Sequence, residues 1–517
     1  MRFQNAIREG LDNGDFLYTL EYVPDLLSEG LQALDNMAKN AEKVGQNPRI
    51  RGLNIGDRVK STKCFSTVEC GKIAADASRK IPLLHLAGKD RLPDEAKAVF
   101  QSALDYGLSN MLLVTGDRIA EPTREGRTRY HESVIAIQDV KNLYPHATIA
   151  SAISPFKYRE EELANQYLKM AKKINVGTNY LITNCGWDMK KFQELIWYRD
   201  GRGFKTPIVA NLLLPTLGWA KGIHSGRLPG VHLSDDLFHK ILEDYDEGKS
   251  VAREKSFHRL AVMIVGIKLM GYAGVQLSGV DDYETLTEVI ELADNIEKSI
   301  SSKQEWNELW ENSNRLKSGK IANSSPNPSG IYLFNSENKP EFGSIESFPS
   351  INSVTASEDE IKKFNFMNGI HNHLFKDGSI GASIFKPISK VFDSNNFSRK
   401  VFLNIEHATK NKTLGCESCG YCRIDHLMYI CPETCPKGLA NGPCSGTDDN
   451  VCEFKDRECI HNRKYRIAKE VGKLSSLELT FIPAVKNTRG TSSWINQFSD
   501  DHPISTTLIS KAETPKK

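Results

Sequence analysis

Two hydropathy patterns alternate over the first 300 residues of the chain. Short, β-rich apolar runs occur at FLYTLEYVP (16–24), IRGLNIGD (50–57), IPLLHLAG (81–88) and MLLVTGD (111–117). Four more follow at TIASAISP (148–155), TNYLITNCGW (178–187), PIVANLLLP (207–215) and GYAGVQLSGV (271–280). The first seven begin 29 to 37 residues apart, the length of one β-loop-α-loop unit. The intervals carry a helical period instead. Ala96, Val99, Phe100, Ala103 and Leu104 fall at i, i+3, i+4, i+7 and i+8, and Gly107 follows as a stop. Leu163, Tyr167, Met170, Ala171 and Ile174 repeat the stripe, with Gly177 at its end. Leu27, Leu31, Leu34 and Ala38 predict the same kind of face after the first strand.

Most of the strand runs are apolar at successive positions, so both of their faces are expected to be covered, as in a parallel sheet flanked by helices. Eight such units in series predict an α/β fold that closes as a (β/α)8 TIM barrel. An open doubly wound sheet is the alternative, but no GxGxxG follows any of the strands. Residues 216–233, TLGWAKGIHSGRLPGVHL, predict a long rim loop that shapes a substrate site. The composition shifts after about residue 300 to Ser, Asn, Pro and Gly, as in IANSSPNPSG. The pattern is helical again from about 359 through a cysteine cluster to about 470. The expected organisation is a barrel over 1–312, a linker over 313–358, a smaller and mostly helical cysteine-rich domain over 359–509, and a frayed tail over 510–517.

Composition narrows the class. Hydrophobic residues make up 39% and charged residues 26%, a globular balance. Lys+Arg is 67 against Asp+Glu 65, a net charge of +2 without the basic footprint of a nucleic-acid binder. The first residues, MRFQNAIREGLDNGDF, have no apolar core of the kind a signal peptide carries. The longest apolar run, Leu260 to Val275, contains Lys268 and is shorter than the roughly 20 residues of a membrane span. A cytoplasmic protein with no membrane contact is expected.

In a barrel of this kind, chemistry sits at the C-terminal ends of the strands. Polar residues interrupt the apolar runs there: Glu21, Asn54, His85, Asp117, Asn184 and Gln276. A carboxylate at the end of a buried strand is costly, and desolvation raises its pKa toward the range of a general acid. Glu21 and Asp117 come from the first and fourth strands and are placed to converge on one mouth. For Asn54 and Gln276 a satisfied structural hydrogen bond is an equal alternative. A single His in an apolar strand, His85, more often packs than catalyses, and lysines such as Lys172 and Lys173 are more often solvated than bound to phosphate.

Eight of the 11 cysteines lie within 44 residues: Cys416, Cys419, Cys422, Cys431, Cys435, Cys444, Cys452 and Cys459. In a reducing compartment such a cluster predicts metal rather than disulfides. The CxxCxxC start suits either zinc or an iron–sulfur cluster, with His426 and His461 as further zinc ligands.

The segments LEYVP with Glu21, LLHLAG with His85, LLVTGD with Asp117 and GTNYLITN with Asn184 resemble, in order, the methylenetetrahydrofolate reductase family over roughly residues 10–300. The resemblance implies a noncovalent FAD, reduced by NADH or NADPH, that passes hydride to the methylene carbon of 5,10-methylenetetrahydrofolate to give 5-methyltetrahydrofolate. It makes Glu21 the general acid that opens the folate ring and sets Asp117 beside flavin and pterin. It also implies cofactor contacts for Asn54, His85, Gly116, Asp117, Tyr130 and Lys173, and substrate contacts for Asn184 and Gln276. The chain departs from the family pattern at Asn184, where a glutamine is usual, in RIAEPTREGRTRY after TGD, and at Gln166, which replaces an acidic residue. The cysteine-rich segment resembles the C-terminal domain attached to some bacterial members and the cysteine-rich partner subunit of acetogenic ones. As zinc or [4Fe-4S], its metal would make it a docking surface or an electron relay.

Two other functions fit the same features. One is a pterin-dependent methyltransferase, which would bind no flavin. The other is a flavin- or folate-binding subunit of a larger redox complex, which would be inactive alone with a nicotinamide donor. The expected partners are the folate, a nicotinamide or other electron donor, a methyl-transfer or redox protein, and further copies of the chain in a homo-oligomer.

Overall fold

The computed structural model describes residues 3–119, 130–280, 282–326, 333, 354–376, 378–485, 487–498 and 506–508. The tail 510–517, most of the linker between 327 and 353, and residues 120–129 of the stretch after TGD lie outside the described residues.

Each of the eight apolar runs forms a strand: β1 Leu17–Tyr22, β2 Ile50–Ile55, β3 Leu83–Ala87, β4 Asn110–Val114, β5 Thr148–Ile153, β6 Tyr180–Thr183, β7 Ile208–Leu213 and β8 Gly274–Ser278. They pair in parallel in sequence order, and β8 returns to β1 to close the barrel. Across the first seam Glu21 stands opposite Asn54. Leu17, Leu83, Leu112, Ala150, Tyr180, Ile182 and Val209 point inward and fill the barrel, with Ile7 plugging it. The interior is therefore a packed core whose open end alone has room for chemistry.

Helices surround the strands. They are α1 Ala6–Asn13, α2 Leu31–Gln46, α3 Thr67–Ser78, α4 Pro93–Tyr106, α5 Ser133–Leu143, α6 Glu160–Asn175 and α7 Met189–Gly201. Then come α8 Leu217–His224, α9 Asp235–Asp246, α10 Lys249–Leu269, α11 Tyr283–Ser299 and α12 Lys303–Ser313. The predicted stripe of α4 is realised: Ala96, Phe100 and Ala103 are buried and Gly107 caps the helix at φ +93°. The predicted face of α2 is not. Leu27 and Leu31 are 56% and 72% exposed, and Met37, Ala41 and Val44 are buried in their place. Leu27 lies in a separate 3-10 turn, Leu27–Glu29, so its phase does not carry into the helix. Residues 216–233 are likewise not all loop. Thr216 caps α8, its Oγ1 accepting from the backbone N of Trp219. The long apolar run is absorbed by α10 and β8, and among the described residues no helix is long and apolar enough to cross a membrane.

The C-terminal region holds α13 Glu358–Leu374, α14 Ile380–Phe392, α15 Asn396–Leu414, α16 Ile460–Glu470, α17 Leu474–Leu479 and α18 Ser493–Asn496. The cysteine segment between α15 and α16 is not helical but a succession of turns with two 3-10 pieces. This region packs on α6. Tyr465 donates to Glu160 Oε1 at 2.7 Å, Asn165 donates to the His461 carbonyl at 3.1 Å, and Arg202 pairs with Glu478 at 2.7 Å. Every residue of α6 from Glu160 to Ile174 is buried as a result, including six that carry charge or an amide on what would be the solvent face of an ordinary barrel helix: Glu161, Glu162, Asn165, Gln166, Lys169 and Lys172.

One close approach next to the open end is testable. The Gly88 N–H donates to Val114 O, and Gly88 O accepts from His131 N. A Cβ on Gly88 would stand 1.9 Å from the His131 carbonyl oxygen. Gly88→Ala is expected to cost about 1–3 kcal/mol through forced backbone movement. Hydrogen exchange at β3 and β4 reads this, and unchanged protection there would contradict the close packing.

Candidate active site

A cavity of about 280 Å³ opens at the C-terminal ends of the strands. That is at the small end of ligand pockets, which span about 300–1,000 Å³. Glu21 reaches it from β1, His85 from β3, Gly116 and Asp117 from the turn after β4, Ala152 and Ile153 from β5, Asn184 from the end of β6, Asn211 from β7 and Gln276 from β8. The barrel thus brings together Glu21, His85, Gly116, Asp117, Lys173, Asn184 and Gln276. Asn54 and Tyr130 do not line the cavity. Asn54 donates to Thr19 Oγ1 at 2.9 Å and to Gln276 Oε1 at 2.6 Å within the barrel. Tyr130 Oη donates to the Asp117 carbonyl at 3.1 Å.

Two carboxyls face the cavity in different settings. Glu21 keeps part of its surface open to the cavity, yet burial raises its pKa, with a hydrogen bond from Ser278 pulling it back. Ser278 is itself held by Asn211 Oδ1 at 2.7 Å. Asp117 is the more open of the two, and desolvation raises its pKa too; Lys437 opposes the rise. A third acid, Asp57, stays ionised against its burial because Arg91 and Arg58 flank it and Ala87 N donates to it at 2.9 Å. Acids whose pKa values are raised in a cavity are candidates for proton transfer.

His85 is neutral, because burial lowers its pKa to about 4. The residue lines the cavity, and its buried Nε2 has no hydrogen-bond partner among the described residues. Lys173 is buried, its pKa lowered to about 7 by desolvation, and it donates to the Ala152 carbonyl. Asn184 donates to the Gly230 carbonyl at 3.0 Å, and its Oδ1 accepts from Cys185 N at 2.9 Å. Gly230 is the point at which the 216–233 segment meets the site.

Part of the wall comes from outside the barrel. Pro443, Cys444 and Ser445 close one side of the cavity. Lys169 donates to the carbonyls of Gly442 and Pro443 at 3.0 Å each, and Gln166 donates to the Cys444 carbonyl at 3.0 Å. Glu132 accepts from the backbone N–H groups of Ala440 and Asn441. None of this was readable from the barrel segments alone. Asn211 was readable, because it interrupts an apolar strand as Gln276 does.

The model of the methylenetetrahydrofolate reductase family matches residues 6–292, more than half of the chain. The chain belongs to the methylenetetrahydrofolate reductase family. It is accordingly an oxidoreductase of that type, and residues 396–487 match the family described as methylene-tetrahydrofolate reductase C terminal. No curated protein matches. A solved structure described as an uncharacterized protein from Clostridium thermocellum that binds two copies of 5-methyl-5,6,7,8-tetrahydrofolic acid is similar at 14% identity and a TM-score of 0.39. The match spans 57% of this reductase and 99% of that chain.

The expectation of zinc or iron–sulfur in the cysteine segment is overturned. Among the described residues no three or more His, Cys, Asp or Glu side chains are grouped so as to hold a metal ion. The cysteines of the segment are free of disulfides; Cys419, Cys431, Cys435 and Cys459 are buried, and Cys416, Cys422, Cys444 and Cys452 are half-buried. Cys419 Sγ donates to the Tyr421 carbonyl at 3.2 Å and Cys444 Sγ to Glu453 Oε2 at 3.5 Å. Burial pushes the thiols of Cys431 and Cys459 up to about 12 and that of Cys452 to about 11, and raises those of Cys416, Cys419 and Cys435. Nor does either histidine serve. His426 lies beside Asp425, and His461 is fully buried; neither joins a group that could hold a metal among the described residues.

A flavin, which the family implies, can be tested against the residues present. The unpartnered Nε2 of His85, the apolar Ala87, Leu112, Val114 and Ile182, and the cavity-facing Asp117 fit a flat ring with polar edges. Toward Lys173 the chain has already satisfied the ammonium with its own carbonyl.

Proposed function

We propose that this chain reduces 5,10-methylenetetrahydrofolate to 5-methyltetrahydrofolate, with Glu21 as the proton donor. The observation that carries this reading is the convergence of Glu21 and Asp117, both with raised pKa values, on one cavity at the open end of the barrel.

The reaction needs a proton before it needs a hydride. The methylene carbon bridges two folate nitrogens and resists hydride until one C–N bond opens. A protonated Glu21 gives its proton to the departing nitrogen, the bond breaks, and a cationic iminium remains on the other nitrogen. A hydride and its electron pair then neutralise that carbon as a methyl group, and Glu21 recovers its proton from water. Asp117, on the β4 turn, accepts hydrogen bonds from the pterin and holds it against the Glu21 side of the site. Asn184 and Gln276 contribute amides that orient the same ring. A flavin held by His85, Gly116 and Asp117 would supply the hydride.

The test is an anaerobic titration of the purified full chain, supplied with flavin, by 5-methyltetrahydrofolate. Loss of the visible flavin absorbance together with the appearance of methylenetetrahydrofolate is the expected result. A chain that binds no flavin, or a flavin that ignores the folate, overturns the reading.

A further inference from the structure

The turn that carries Asp117 is held by residues more than 300 positions away. Gly116 starts it at φ +88°, a conformation glycine adopts without strain. Lys437 Nζ donates to the Gly116 carbonyl at 2.8 Å. Glu453 Oε1 accepts from the backbone N–H of Arg118. Tyr130 Oη donates to the Asp117 carbonyl at 3.1 Å and lies 3.2 Å from the N–H of Ile119. Tyr130 is in turn fixed by the same lysine: its N–H donates to the Lys437 carbonyl at 3.1 Å, and the Lys437 ammonium lies 5.4 Å from its ring centroid. Lys437 and Glu453 form an ion pair with each side chain 2% exposed. Four backbone groups on the two sides of Asp117 are thus held directly by the C-terminal domain or through Tyr130.

We propose that Lys437 is a positioning residue for Asp117, so that the C-terminal domain is a working part of the reductase site. This rests on the reading of Asp117 given above. A carboxyl on a four-residue turn has no rigidity of its own, and displacement by about 1 Å is enough to cost a hundredfold in rate. The strand that leads into the turn ends at Val114, so the final placement of Asp117 is set by what grips 116–119. Lys437 acts on it twice, directly through its ammonium on the Gly116 carbonyl and indirectly through its backbone carbonyl, which holds Tyr130.

The experiment is a double-mutant cycle on the full chain, read as oxidation of 5-methyltetrahydrofolate by an artificial quinone acceptor. Lys437→Met is paired with Lys437→Met/Glu453→Gln, which removes both charges of the buried pair and so protects the fold if the single variant fails. Lys437→Arg keeps the cation. The charge-removing variants are expected to lose about tenfold or more in kcat with a smaller change in folate KM, and Lys437→Arg to retain most of the rate. In an Asp117→Asn background the same changes are expected to cost less than about twofold, because a residue that acts through Asp117 has nothing left to position. Equal losses in both backgrounds, or no loss in either, overturn the proposal. An inactive unmutated chain, or full activity in Asp117→Asn, overturns the functional reading itself and this inference with it.

Discussion

Glu21→Gln is expected to lose folate reduction by about two orders of magnitude or more, the scale of general acid catalysis, while still binding the folate. The amide preserves the size of the side chain and its hydrogen bond to Ser278 but has no proton to give. Reduction of a bound flavin by its own donor does not require that proton and should persist, so the defect isolates the folate half of the reaction. The pH dependence follows from the same group. Burial raises the Glu21 pKa above its ordinary 4.5. The acid form is therefore present below the raised value and lost as pH rises through it, and the folate rate should fall along that limb. Glu21→Gln should abolish the limb. Stability moves in the same sense: a group whose pKa is raised on folding favours the folded state fully below its unfolded value and loses that contribution as pH rises through the folded one. The glutamine variant should thus resist alkaline unfolding better than the parent. Stopped-flow measurement of both half-reactions across pH decides the matter, and near-normal folate turnover in Glu21→Gln would sink the assignment.

The barrel was legible because its strands are covered on both faces, which makes them apolar without alternation, and because β-loop-α spacing is regular. Polar interruptions in such strands stand out, and five of the six rim residues marked in this way line the cavity: Glu21, His85, Asp117, Asn184 and Gln276. The sixth, Asn54, has the same sequence signature, but its amide is spent on Thr19 and Gln276. Period alone cannot distinguish a polar residue that faces a ligand from one that braces its neighbour. The wall formed by 443–445 was illegible for a different reason, since it depends on contacts between segments distant in the chain. Its trace in the barrel sequence was Gln166, a buried amide on α6 that donates to the Cys444 carbonyl at 3.0 Å. The cysteine segment misled because CxxC spacing is local, whereas a metal site needs three or more ligands from several turns grouped around one point, and among the described residues none are so grouped.

The union of barrel and C-terminal domain also has a stability signature, and it is expected to be large. Arg202 at the end of α7 and Glu478 in α17 meet through two hydrogen bonds of 2.7 and 3.0 Å, with both side chains no more than 2% exposed. Tyr198 adds an acceptor 3.1 Å from the same guanidinium. Such a pair is strong evidence for geometry and weak evidence for net stability, since replacing both partners with apolar groups is often neutral. Removing one partner differs, because it leaves a desolvated charge without compensation. Arg202→Met is expected to cost about 3–5 kcal/mol, and Arg202→Met/Glu478→Leu to recover most of that. In a chain of this size one unfolding midpoint is not a single equilibrium, so the local measurement is hydrogen exchange at α6 and α17. Protection there should fall by about a hundredfold or more in Arg202→Met, at about 1.4 kcal/mol per tenfold, and return in the double variant. Because α17 packs on α6, and α6 carries Lys169 and Gln166, which hold the 442–444 wall, the single variant should weaken folate reduction as it loosens α17 from that helix. Unchanged protection at α6 would mean that the two domains touch without sharing stability. The active-site wall would then be held by Lys169 and Gln166 independently of the Arg202–Glu478 pair.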